Sequence, residues 1–266
     1  GFLRKIIGRD VPIVLEHWLN APGLSSEILN HFIIDWADVI HCHNLHGNYF
    51  KLENLIELSK RKPVIWTWHD WWPVTGHCAT PQTCKLKCDN LQNEVWHKKR
   101  DIYQHSQLNV VVPSLDMKNN VKIADLTLNL IPNGVVSVDL LNYSKKQLRQ
   151  KFDLPLDQKI IMVNTYGGMH LDKGWQFIVD LQKRLPHYYW LLVGQKNRYL
   201  DQALLQQYMK ASDVFLFPSL AESFGMTPVE AICQGTPVVA FPVGVIPELI
   251  KHKVHGYIAK YKNLKD

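Results

Sequence analysis

Residues 218–240 read Pro218-Ser-Leu-Ala-Glu222-Ser-Phe-Gly225-Met-Thr-Pro-Val-Glu230-Ala-Ile-Cys-Gln-Gly235-Thr-Pro-Val-Val-Ala240. The stretch follows an apolar, strand-like run, Asp213-Val-Phe-Leu-Phe217, and sets two glutamates eight residues apart around a Phe-Gly turn. A short helix follows, which Gly235 and Pro237 stop. A helix N-terminus behind a glycine, in the crevice beyond a strand, is where α/β proteins hold phosphates. A carboxylate on the first turn of that helix cannot help hold a phosphate, but it accepts hydrogen bonds from ribose hydroxyls. The implied ligand is a nucleotide diphosphate. A structural reading of the same residues stays open beside this one. Thr227-Pro228-Val229-Glu230 fits a capping box, with Thr227 at the N-cap, Pro228 at N1 and Glu230 at N3.

Outward from this stretch the apolar pattern alternates strand and helix, which argues for parallel α/β architecture. In the second half the pattern predicts strands at 160–163, 190–193, 214–217 and 238–241, and helices at 175–185, 202–210 and 228–234. In the first half it predicts strands at 38–43, 63–68, 108–112 and 129–131, and helices at 52–60 and 94–105. The turn Pro132-Asn133-Gly134 is the best domain boundary, dividing the chain into 1–135 and 136–266, with a linker helix at 143–152. Each half reads as an open parallel sheet, so the ligand site is expected in the cleft between them.

Composition fits that class. Apolar residues are 46% and charged residues 20% of the 266, enough for an ample core. No apolar run reaches the length of a membrane span and the N-terminus lacks a signal-peptide core, so the expected compartment is the cytoplasm. The net charge of +6 is spread over short groups such as Lys98-Lys99-Arg100, Lys145-Lys146, Lys251 and Lys253. These read as a solvated surface and argue against a nucleic-acid partner; contact with anionic lipid headgroups at the inner membrane face is the functional alternative.

The run Glu222 to Glu230 resembles the E-x7-E signature of retaining, nucleotide-sugar-dependent glycosyltransferases of family 4. The resemblance implies the GT-B fold: two Rossmann-like parallel-sheet domains facing a central cleft. It implies an acceptor-side domain over 1–135 and a nucleotide-sugar-binding domain over 136–266. By that resemblance Glu222 lies by the donor sugar and Glu230 by the ribose, and the backbone from Ser223 and Phe224 through Gly225, Met226 and Thr227 meets the diphosphate. The sequence opens at Gly1 and is short for a complete enzyme of that kind, so residues are expected to be missing at both ends.

Two runs in the first half carry further side chains of chemical interest. His41-Cys42-His43-Asn44-Leu45-His46-Gly47 places His41 and His43 on one strand face, with His43 near the C-terminal end. A lone strand histidine is most often a satisfied core or edge residue, the reading given to His41. His43 resembles the histidine that approaches the donor sugar and diphosphate in several family-4 enzymes. Downstream, Trp66-Thr-Trp-His69-Asp70-Trp71-Trp72-Pro-Val-Thr-Gly-His77-Cys78 offers aromatic faces to sugar rings and polar groups to their hydroxyls. His69, Asp70, Trp72 and His77 are therefore candidates for an acceptor-saccharide surface, against ordinary aromatic packing at a strand end. This run resembles the branch of family 4 that builds bacterial exopolysaccharides of the colanic-acid kind. Cys78, Cys84 and Cys88, with His69 or His77, have the donors for a structural zinc site. Three reduced thiols is the reading preferred, and no metal or cofactor is expected.

The loop Tyr166-Gly167-Gly168-Met169-His170-Leu171-Asp172-Lys173-Gly174 follows the first strand of the second half. Gly168 permits close backbone approach to a ligand, and a lysine before a helix suits a diphosphate oxygen. Lys173-Gly174 matches the family's Lys-Gly at this loop; the arginine usual after the first glycine is not evident, leaving Lys173 and His170. The passage through 195–200 is shorter than in the family, which obscures the base pocket. The expected activity is retaining, metal-independent transfer of a sugar from a nucleotide-diphosphate donor to a glycan or lipid-linked saccharide, with Lys173, Glu222 and His43 central. A GT-B phosphorylase, an epimerase and a catalytically weakened sugar-nucleotide-binding scaffold are the alternatives.

Overall fold

The computed structural model describes residues 28–46, 50–76, 78–83, 89–121, 123, 126–165, 171–194 and 200–262. Gly47, His77, Cys84, Cys88, Gly168, His170 and the passage through 195–199 lie outside the described residues. The chain forms two units. The described part of the first comprises residues up to Ala79, then 89–112 and 120–130, and that of the second comprises 80–83, 113–119 and 131–262.

In the first unit a short helix, α1 (Phe32–Trp36), precedes strand β1 (Ile40–His43). Helix α2 (Asn54–Arg61) leads to β2 (Val64–Thr67), and α3 (Asp89–Gln104) to β3 (Leu108–Val112) and then β4 (Leu128–Leu130). The four strands pair in parallel in the order β1-β2-β3-β4. Burial of Val64, Trp66, Val110 and Val112 gives the sheet a dry centre, and Leu55 and Leu58 of α2 are fully buried. Trp66, Trp68 and Tyr103 pack as a cluster of tilted and edge-on rings, an arrangement that suits the aromatic quadrupole. The Trp66, Trp68 and Trp71 indole nitrogens are buried without a partner among the described residues. Burial also pushes the Cys42 thiol up to about 12, which makes it an inert core group.

The second unit takes in most of α4 (Leu115–Asn120) and then runs α5 (Lys145–Lys151), β5 (Ile160–Asn164), α6 (Trp175–Arg184), β6 (Tyr189–Val193) and α7 (Gln202–Ala211). It continues through β7 (Val214–Phe217), α8 (Met226–Cys233), β8 (Val238–Ala240), α9 (Ile246–Leu249) and β9 (Gly256–Ile258). The five strands are parallel, in the order β6-β5-β7-β8-β9. Met162, Phe215, Val238 and Ala240 on one sheet face pack against Met209 of α7 and Ala231 of α8. Helix α5 has the capping box that α8 was expected to have: the Ser144 side chain accepts from the Gln147 amide, and the Gln147 side chain accepts from the Ser144 amide. Arg149 of α5 is buried and ties the sheet's lower edge together. It donates to Ala211 O and Gln158 O and to the Asp213 carboxylate at 2.6 Å. Burial opposes the Asp213 charge, but the Ile160 amide, Arg149 and Lys145 outweigh it and hold the carboxyl below its usual range.

Candidate functional site

The strand order of the second unit reverses between β5 and β7. The chain steps from β5 out to β6, then crosses to the other side of β5 to lay down β7. Crevices beyond the carboxyl ends of strands at such a reversal are where open α/β sheets take ligands. The two segments that leave these strands carry Lys173 and Glu222.

Those segments are held in contact by a glycine. Gly174 has φ 70, and a Cβ there would lie 1.9 Å from the Pro218 carbonyl oxygen, so only a residue with no side chain fits. Leu220 N donates to Asp172 O at 2.7 Å across the same contact. Lys173 closes the 3-10 turn Leu171–Lys173, and its Nζ lies 2.8 Å from Glu222 Oε1. Ser219 Oγ donates to that same oxygen at 2.7 Å. Glu222 is the more enclosed of the ion pair, with a side chain 15% exposed against 45% for Lys173. The pair thus presents a cation to solvent, backed by a fixed carboxylate.

The turn after Glu222 corrects the expected capping box. Helix α8 begins at Met226, with Gly225 as its N-cap at φ 99 and no side chain capping it. The left-handed glycine turns the chain into the helix two residues before Thr227 could. Pro228 falls at the third helical position, where its missing N–H lies outside the intrahelical ladder. The Met226 and Thr227 amides are left among the helix's unpaired donors, the positive end of its dipole. Three contacts brace the turn: Ser114 Oγ donates to Ser223 O, Val245 N donates to Phe224 O, and the Gly244 backbone packs against Phe224.

Glu230 therefore belongs to the second turn of α8 and is 6% exposed. Its Oε1 accepts from Gln202 Nε2 at 3.0 Å, while Oε2 is buried with no partner among the described residues. Burial raises its pKa above the ordinary carboxylate range, and the Gln202 hydrogen bond acts against that rise. Gln202 belongs to a ladder that sequence reading missed. Fully buried Gln206 accepts from Val138 N and Gln234 Nε2 and donates to Val136 O. The available signal was Gln202 and Gln206, four apart on one helical face.

In the first unit, β1 and β2 bring three histidines together. His41 and His43 share a face, ring centroids 4.1 Å apart, and His43 Nδ1 lies 2.7 Å from Nε2 of His69, just beyond β2. His41 Nε2 is 2.8 Å from Thr67 Oγ1, the cross-strand satisfaction expected of it. Desolvation first, then the neighbouring imidazoles, hold the His43 pKa below its usual value. Desolvation and His41 outweigh the opposing pull of Asp70 at His69.

Asp70 acts on its own loop, where Oδ1 accepts from Trp72 N at 2.8 Å and Oδ2 pairs with His46 Nε2 at 2.9 Å. Trp71 is core, whereas Trp72 is half-buried. Lys99, read from the sequence as part of a solvated basic group, is 4% exposed. Its Nζ donates to Trp72 O at 2.7 Å and Thr75 O at 2.9 Å and lies 3.4 Å from the Trp72 ring centre. Burial lowers its pKa to about 7, against the pull of Asp70. Its spacing from Val95 and Ile102 puts it on the apolar face of α3. Cys78 is buried, and no group of three or more His, Cys, Asp or Glu among the described residues is arranged to hold a metal.

Residues 196–266 match the family described as Glycosyl transferases group 1. The chain is 25% identical over 262 residues to an uncharacterized glycosyltransferase of Methanocaldococcus jannaschii, covering 86% of this chain and 64% of that protein. It is 37% identical over 256 residues to an uncharacterized 41.2 kDa protein in the cps region of Klebsiella pneumoniae, covering 85% of this chain and 66% of that protein. The chain thus spans a little under two thirds of the length of these relatives. Among solved structures, sucrose-phosphate synthase of Thermosynechococcus elongatus superposes with a TM-score of 0.65 at 18% identity, over 90% of this chain and 66% of that one. HepE of Anabaena, in complex with UDP, gives 0.61 at 16% identity, over 92% and 71%. At these identities the structural likeness shows the fold, and the two parallel-sheet α/β units are those of GT-B. Among the described residues no helix is long and apolar enough to cross a membrane.

Proposed function

We propose that this chain carries the donor site and acceptor-side unit of a retaining GT-B glycosyltransferase. It moves a sugar from a nucleotide-diphosphate donor onto a growing cell-surface glycan at the inner face of the membrane. The observation that carries the reading is Glu230, whose buried Oε2 has no partner among the described residues and which lies behind a glycine-initiated helix start. A vicinal diol such as a ribose supplies the donors that oxygen lacks. Similarity over residues 196–266 to Glycosyl transferases group 1, the UDP complex of HepE and the cps-region relative support donor class and pathway type.

In this reading the Met226 and Thr227 amides and Lys173 stabilise negative charge as it develops on the departing diphosphate. Fixed dipoles and one cation supply the positive field without a resident metal. Glu222, fixed by Ser219 and Lys173, orients the sugar hydroxyls, and His43 serves the transferred sugar. The acceptor hydroxyl oxygen bonds to the anomeric carbon on the face from which the diphosphate leaves. The bond from that carbon to the phosphate oxygen breaks, and the hydroxyl proton passes to the departing phosphate.

Calorimetric titration with UDP-, GDP- and ADP-sugars tests the proposal. Micromolar binding of one donor, lost in Glu222→Ala, supports it. Absence of binding by every donor overturns it, and donor binding without turnover favours the sugar-nucleotide-binding scaffold.

A further inference from the structure

Resting on the glycosyltransferase reading for its acceptor, we propose that a pocket in the first unit binds one carboxylate-bearing hexopyranose, a uronic acid residue, of the acceptor saccharide. The pocket has a volume of about 330 Å³ and is bounded by His46, Phe50, Glu53, Trp72, Lys98 and Lys99. That volume is at the low end of the roughly 300–1,000 Å³ that small-molecule sites occupy, which suits a single ring.

The wall chemistry is that of a sugar site. Phe50 and Trp72 supply aromatic carbon, and His46, Glu53, Lys98 and Lys99 supply hydrogen-bonding groups. A pyranose has the same duality, with C–H groups on its faces and hydroxyls on its edge.

The charge arrangement selects the acidic sugar. Among the described residues each carboxylate close to the pocket is already matched. Glu53 forms an ion pair with Lys98 at 3.0 Å, and Asp70 is held by hydrogen bonds with His46 Nε2 at 2.9 Å and from Trp72 N at 2.8 Å. Lys99 is matched only by dipoles: two carbonyl oxygens and the face of an indole. No carboxylate among the described residues forms an ion pair with it. A buried cation in that condition gains most from a formal anion brought in by a ligand. Burial lowers the Lys99 pKa to about 7 against the pull of Asp70, and the other titratable groups around the pocket are His46, Glu53 and Lys98. A carboxylate entering the pocket favours the ammonium form, so binding near neutral pH draws a proton from solution.

The test is calorimetry and ligand-observed NMR with methyl β-glucuronide and methyl β-glucoside at pH 7.5. Calorimetry is run in two buffers of different ionisation heat. The expected result is at least tenfold tighter binding of the glucuronide with uptake of a fraction of a proton, both lost in Lys99→Met and both kept in Lys98→Met. Should Lys99→Met fail to fold, the wild-type proton uptake decides. Equal affinity for the two glycosides, or glucuronide binding without proton uptake, overturns the proposal. So does inorganic phosphate binding as tightly with the same uptake, because it marks a general anion site. The same wild-type protein is titrated with the donor panel. Donor binding without glucuronide binding overturns the pocket alone, and glucuronide binding without donor binding overturns the transferase reading alone.

Discussion

Glu230→Gln separates a functional carboxylate from a structural one because the two roles respond with opposite signs. The substitution keeps Oε1, and with it the bond from Gln202, but turns the unpartnered Oε2 into an amide nitrogen. A ribose hydroxyl donating to the carboxylate makes a charge-assisted hydrogen bond of about 1.5–3 kcal/mol, which the amide nitrogen that replaces Oε2 cannot accept. Losing it gives roughly a 10- to 150-fold rise in donor Kd. Stability moves the other way. Burial raises the Glu230 pKa in the folded chain, so the fold favours the protonated acid. The stability contribution is intact below the ordinary carboxylate range and is lost as pH rises through the raised value. Above that value the charged form strains the fold, whereas Gln carries no charge to desolvate. Glu230→Gln is therefore expected to raise Tm at pH 7.5 and leave it unchanged at pH 4, while donor affinity falls. Calorimetric Kd and scanning fluorimetry at the two pH values read both quantities. A donor Kd within threefold of wild type would refute the ribose assignment, and a Tm that drops at pH 7.5 would refute the desolvation argument.

Gly174→Ala adds a Cβ 1.9 Å from Pro218 O at φ 70. It is expected to cost at least about 2 kcal/mol from backbone strain and displacement of the 171–174 turn, read by urea unfolding; a loss below about 0.5 kcal/mol would count against the contact. The His43–His69 pair predicts an acid-side weakness. Both pKa values are depressed in the fold, so the stability they contribute is complete above the ordinary histidine range and is lost as pH falls. The Tm drop from pH 7.5 to 5.5 should shrink in His69→Gln, and an unchanged drop would assign it to other groups.

What was legible in the sequence follows from how each element hides its backbone. Parallel strands buried on both faces are continuous apolar runs, which is why Val214–Phe217 matches residue for residue, and in Leu108–Val112 the apolar Val110–Val112 run is enough despite exposed Asn109. Gly256–Ile258 was not legible because it opens on a glycine and offers no apolar run; what fixes that strand is Gly256 packed against Val238, a contact distant in sequence. The helix holding Glu230 was legible but its start was not. Thr227-Pro228 is a strong local cap signal, yet Gly225 turns the chain first and the tertiary braces on Ser223 and Phe224 keep it there. Lys99 was misread for the converse reason. Its neighbours in sequence are charged, and only helical phase shows that it points inward with Tyr103 to hold the carbonyls of the 72–75 loop.

The glycines explain how the donor-side groups stay assembled with so little regular structure around them. Lys173, Glu222 and the helix start lie on two connecting loops, which in general are mobile. Here the first loop is jammed into the second at Gly174 against Pro218, and a third segment is jammed into the second at Gly244 against Phe224, in each case closer than a Cβ allows. Val245 N and Leu220 N then close hydrogen bonds across those contacts. The loops are rigid because side chains are absent where backbones meet, which leaves Lys173 and Glu222 to project from a fixed base. Preorganisation of that kind requires the positive field to be in place before charge develops on the leaving group. On the proposed reading, the substitutions most damaging to donor binding therefore extend beyond the charged residues to two glycines, Gly174 and Gly244.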